Sequence, residues 1–103
     1  MRLGIFNRVD LNAANKATDF IDTKDYNRVA MQVTLETGTF ATAVVTLEAS
    51  TDQIAWTNLA TVGPGNGKTA AQDVTGYQFV RARVTTAEGA AGTATVSFVG
   101  KNA

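Results

Sequence analysis

Apolar and polar residues alternate with a period of two along much of this chain, the pattern of strands that bury one face. Arg28 to Leu35 shows it most cleanly: Val29, Met31, Val33 and Leu35 share one face, and Arg28, Ala30, Gln32 and Thr34 the other. Glu36 to Gly38 breaks the run. Thr39 to Ser50 predicts a long second strand, with Ala41, Ala43, Val45, Leu47 and Ala49 opposite Thr42, Val44, Thr46 and Glu48. Ser50, Thr51 and Asp52 supply side chains that bond nearby backbone groups, as a turn requires. Ile54 to Val62 predicts a third strand. Trp56, near its start, is expected to anchor the core or its edge. Gly63 to Gly67 is a loop holding three glycines and the one proline, and Gln72 to Val74 predicts a short strand. Tyr77 to Thr85 places Val80, Ala82 and Val84 opposite Tyr77, Phe79, Arg81 and Arg83. Thr93 to Val99, with Ala94, Val96 and Phe98 on one side, follows a small-residue turn.

The first fifteen residues alternate poorly. Leu3, Ile5, Val9 and Leu11 offer short apolar contacts, Asn12 to Asn15 reads as a loop, and the segment is expected to be an extended arm or an edge strand. Ala17 to Thr23 gives a weak strand signal around Phe20, and Asp22 to Asn27 is turn-like. No cap followed by sustained 3.6-residue periodicity announces a helix. Short strands separated by turn signals predict an all-β fold, an antiparallel β-sandwich of jelly-roll-like type. Residues 1–15 form its N-terminal arm or edge strand, and residues 16–103 the sandwich domain.

Composition sharpens this picture mainly by exclusion. The 103 residues include no Cys and no His. A disulfide framework, a thiolate nucleophile, a Cys-based metal site and the commonest general base are therefore absent from the chain. Nine basic and nine acidic residues cancel, which argues against a nucleic-acid partner. Charged residues make up 17% of the chain, against about 25% in a typical soluble domain, so part of the surface is expected to be covered in service. No apolar run of signal-peptide or membrane-span length occurs, and the expectation is synthesis in the cytoplasm with no membrane partner.

Four places carry candidate chemistry. Gly63 to Thr69, GPGNGKT, ends like a phosphate-binding loop, but its glycines enclose three residues instead of four and no helix signal follows. Asp19, Asp22 and Asp25 are three carboxylates within seven residues, without calcium-loop spacing. Nine acids are available for a carboxylate pair, yet none stand at a recognisable catalytic spacing, so no enzyme and no cofactor are expected. The face of Tyr77, Phe79, Arg81 and Arg83 sets aromatic rings beside guanidinium groups. That combination suits an interface, and less directly a sugar.

Three segments together resemble small virion proteins of tailed phages. They are FIDTKDYNRVAMQV at 20–33, LEASTDQIAWTNL at 47–59, and YQFVRARV at 77–84 followed by the final strand TATVSFVG; the resemblance spans roughly residues 18 to 100. The Ser-x-Asp turn before Trp56 and the Tyr-x-x-Val-Arg strand also resemble discoidin-like carbohydrate-binding sandwiches, although Gln53 stands where those carry Gly. The phage resemblance implies a capsid decoration, or cement, protein made in the host cytoplasm. It would bind the outer face of the major capsid protein lattice as a homo-oligomer, a trimer or a dimer, and stabilise the head. A tail or baseplate accessory subunit and a carbohydrate-binding module are the alternatives. Leu3, Ile5, Phe6, Arg8 and Val9 of the arm, with Tyr77, Phe79 and Arg81, are the residues expected to touch the partner.

Overall fold

A computed structural model describes residues 2–12, 17–23 and 26–102. The described residues form nine strands: β1 (Arg2–Asp10), β2 (Ile21–Asp22), β3 (Arg28–Gly38), β4 (Val44–Ser50), β5 (Thr57–Val62), β6 (Gly67–Lys68), β7 (Gln72–Asp73), β8 (Phe79–Thr86) and β9 (Gly92–Lys101). No helix occurs among the described residues. The strands make two antiparallel sheets. The first runs β1-β9-β3-β6, with β7 also on β3; the second runs β2-β8-β4-β5.

The inward residues of the two sheets meet in one buried cluster, which gives sandwich-like packing. Val29, Met31 and Val33 of β3 and Ala94, Val96 and Phe98 of β9 come from the first sheet. Val45, Leu47 and Ala49 of β4 and Val80, Ala82 and Val84 of β8 come from the second. Ala49, Ala82 and Ala94 of these strands, with Ala43, keep the sheets close, and Phe98, edge-on to Phe6 at 6.0 Å, is the largest fully buried side chain among the described residues. Leu11, Phe40, Val62 and Val74 complete the cluster.

Several expected boundaries move, each for a physical reason. The break expected at Glu36 is a bulge: pairing with β9 shifts register between Leu35 and Thr37 and then continues to Gly38. The long strand expected from Thr39 begins only at Val44. Glu88 draws residues 41–43 out of extended conformation, because its Oε1 accepts the backbone N–H of Ala41 (2.6 Å), Thr42 (2.8 Å) and Ala43 (3.2 Å). These bonds, led by that from Thr42, hold the Glu88 carboxyl below its ordinary value against the opposing effect of desolvation. Gly38, at φ +79°, and Gly92 bring two backbone segments together here, and a Cβ on Gly92 would overlap the Thr39 carbonyl oxygen.

The third strand starts at Thr57 instead of Ile54. Residues 51–55 are a tight turn in which Ser50 Oγ accepts the N–H of Asp52 and Gln53, and Asp52 Oδ1 accepts those of Ile54 and Ala55. Gln53 sits in the left-handed region at φ 65°. β9 extends beyond the expected Thr93 to Val99 at both ends, whereas β8 begins only at Phe79, which leaves Tyr77 outside it.

Candidate functional site

The outer face of the second sheet carries a tightly bonded polar and aromatic cluster. β4 is expected to bury one face, but Thr46, Glu48 and Ser50 on its other side are buried too. The register explains why. β4 lies between β8 and β5, with Glu48 directly opposite Arg81 and one diagonal step from Arg83. Glu48 is 2% exposed. Its Oε1 accepts from Arg81 Nε and its Oε2 from Arg83 Nε, each at 2.9 Å. A single carboxylate thus fixes two guanidinium groups side by side, leaving this cluster with one net positive charge.

Arg81 is held from a second direction. Its guanidinium carbon lies 4.1 Å from the centroid of the Trp56 ring, a cation–π contact. Trp56 is therefore not the core anchor expected of it. The Ser50–Asp52 turn delivers it to the outer face, where its Nε1 donates to the Gln53 carbonyl at 3.3 Å. Toward β2, Phe20 meets Phe79 edge-on at 5.1 Å between centroids, and Phe20 remains 46% exposed. Away from β2, the hydroxyls of Thr46 and Thr85 bond at 3.0 Å. The face therefore runs from an exposed aromatic pair, through a rigid arginine–tryptophan cluster, to a small polar patch.

The expected partner-binding residues do not gather in one place. Phe79 and Arg81 sit on this face. Tyr77 packs against the core and lines a shallow cleft with Thr23, Tyr26 and Val74. Leu3, Phe6 and Val9 of β1 also pack against the core, while Ile5 is exposed on the outer side of the first sheet. Arg8 lies at a bulge in the β1–β9 pairing, at φ 57°. Residues 2–10 are thus an edge strand, paired with β9 along their length. Sequence reasoning missed Glu48 as the organiser, and Trp56 as its neighbour. The available signal was an acid on one alternating strand and two arginines at i, i+2 on another.

The remaining candidates take structural positions. In GPGNGKT the chain enters β6 and not a helix; Thr69 Oγ1 accepts the Met31 N–H at 2.9 Å, and Asn66 Oδ1 accepts that of Leu35 at 2.7 Å. Among the described residues no cluster of three acidic side chains is placed to hold a metal ion. Asp25, part of the expected trio, lies outside them, as does most of the loop expected at 12–15. No protein-family model, curated protein or solved structure matches the chain.

Proposed function

We propose that this chain is a structural virion protein of a tailed phage, a capsid decoration protein. It attaches as a symmetric oligomer to the outer face of the major capsid protein lattice and stabilises the head. The observation that carries the proposal is the rigid Trp56–Arg81–Glu48–Arg83 cluster beside exposed Phe20. Trp and Arg dominate the energetics of protein interfaces, and side chains already fixed before binding lose little entropy when they dock.

The strand order supports the same reading. Taken as one interrupted strand, β6 and β7 leave eight strands among the described residues. The pairs β4–β5, β3–β6/β7, β2–β8 and β1–β9 then nest like one long hairpin, which wraps so that β9 joins β3 and β8 joins β4. We interpret this as a jelly roll, an architecture that viral capsid proteins share with lectins. The edge strand β1, with Ile5 and Arg8 turned outward, serves in this proposal as the contact to a neighbouring subunit.

A carbohydrate-binding module is the second reading, favoured by the aromatic residues of the face. Against it, Arg81 covers one face of Trp56, and the Phe20 and Phe79 rings stand edge-on at 84° and so form no single flat platform for a sugar to stack upon. Capsids depleted of the chain and then re-supplied with wild type, Arg81→Ala or Trp56→Ala protein discriminate the readings. Wild type restores full occupancy, and each variant loses at least tenfold in affinity. Wild-type protein that fails to bind capsids while binding glycans in an array overturns the proposal.

A further inference from the structure

The outer face of the first sheet is unlike that of the second. Its outward residues are mostly small: Ala30, Gln32 and Thr34 on β3, Thr93, Thr95, Ser97 and Val99 on β9, and Ile5 on β1. Ile5 is 41% and Val99 45% exposed, two of the four large apolar side chains left in solvent among the described residues. Apart from Lys68 of β6, opposite Gln32, charge gathers toward the ends. At one end Arg28 and Lys101 stand directly opposite each other, a repulsive cross-strand pair that Asp73 on β7 only partly offsets. At the other end Glu36 reaches back to the Thr95 hydroxyl, and Asp10 pairs with Thr93.

We infer that this face is a two-fold interface with a second copy of the chain. Ile5, Ser97, Gln32 and Lys68 form one row across the strands, because Ile5 pairs with Ser97, Ser97 with Gln32, and Gln32 with Lys68. The row lies midway between residues 28 and 36 of β3, and between 93 and 101 of β9. A two-fold axis along it places Arg28 over Glu36 of the second copy. Lys101 comes over Thr93, beside Asp10, and Val99 over Thr95. Every such contact occurs twice, as an isologous interface requires. An axis parallel to the strands would instead set like charges together, so the charge pattern selects the orientation.

Strands β3, β9 and β1, of 11, 10 and 9 residues, and the shorter β6–β7 edge, at about 3.3 Å per residue and about 4.8 Å apart, cover about 590 Å² per copy. The pair therefore buries roughly 1,200 Å², the lower bound for a specific interface, which points to a concentration-dependent dimer of micromolar affinity or weaker. The inference rests on the oligomer of the proposed function and not on its capsid partner. It also suits a cement role: the two second-sheet faces point in opposite directions, so one dimer bridges two flanking capsid subunits.

Sedimentation of the full chain from about 1 μM to about 1 mM tests the inference. A monomer–dimer equilibrium that weakens with salt is expected. Glu36→Arg, at an exposed position, weakens it at least tenfold, and Arg28→Glu with Glu36→Arg restores it. Lys68 meets its own copy at the axis, so Lys68→Ala tightens the dimer. Since the chain has no cysteine, Gln32→Cys yields cross-linked dimer with a short bis-maleimide, whereas Thr57→Cys on the second sheet does not. Near-ultraviolet circular dichroism confirms that each variant is folded. A monomer at all concentrations, a trimer, or a dimer indifferent to the Glu36 and Lys68 variants overturns the inference. A capsid-binding monomer overturns it, together with the oligomer of the proposed function, while leaving the capsid partner standing; a dimer that ignores capsids does the reverse.

Discussion

Glu48→Gln removes the charge at the centre of the second sheet's outer face while nearly preserving volume. In the native protein that carboxylate accepts two charge-assisted hydrogen bonds at 2.9 Å and is almost wholly buried. Each such bond contributes about 1.5–3 kcal/mol. The two arginine side chains keep 24% and 26% exposure, so they turn partly to water when the charge is lost, and the combined loss falls to about 2–3 kcal/mol. For a domain of this size 1 kcal/mol moves the melting temperature by about 4 °C, so a drop of about 8–12 °C is expected. Urea titration followed by fluorescence measures the change, and Trp56, the single tryptophan, reports on the site itself. Release of Arg81 from the indole should also shift native-state emission to the red. A double-mutant cycle with Arg83→Met isolates the pair, with a coupling of about 1 kcal/mol or more expected. A loss under about 0.5 kcal/mol with unchanged emission would refute the reasoning, because the cluster would then resemble an ordinary surface pair.

Three further outcomes follow from the local geometry. Gly92→Ala drives a methyl into the Thr39 carbonyl, where backbone must move, and a loss of at least about 2 kcal/mol in chemical denaturation is expected. Gln53→Gly relieves a left-handed non-glycine residue and should add about 0.5–1 kcal/mol in the same assay; a loss there would show that the Gln53 side chain, not its backbone, holds the turn. Glu88 has a folded pKa below its ordinary 4.5, so its stabilisation is complete above that value and disappears as pH falls through the lowered folded value. Glu88→Gln should therefore flatten the acid limb of melting temperature against pH, and an unchanged acid limb would count against the three backbone bonds at residues 41–43.

Most of the architecture was legible in the alternation. Val29, Met31 and Val33, and Ala94, Val96 and Phe98, face inward as their period of two requires, because a slip of one residue would expose the whole set. What alternation did not reveal depends on residues distant in sequence. Glu88 unmakes the start of a strand some 45 positions earlier. Glu48 reads as a solvent-facing residue until β8 supplies Arg81 and Arg83. Trp56 reads as core because it is large and apolar; its position is decided by the turn before it and the guanidinium above it. The two-residue strands β2, β6 and β7 carry too few side chains for any period to show.

Cryo-electron microscopy of purified virions bears directly on the proposed attachment to the capsid. Under that proposal, density for this chain lies on the outer surface of the head, between major capsid subunits, with Trp56, Arg81 and Phe20 buried against capsid protein. Virions that lack the chain, or that carry it with the Trp56–Arg81 face turned to solvent, would contradict it.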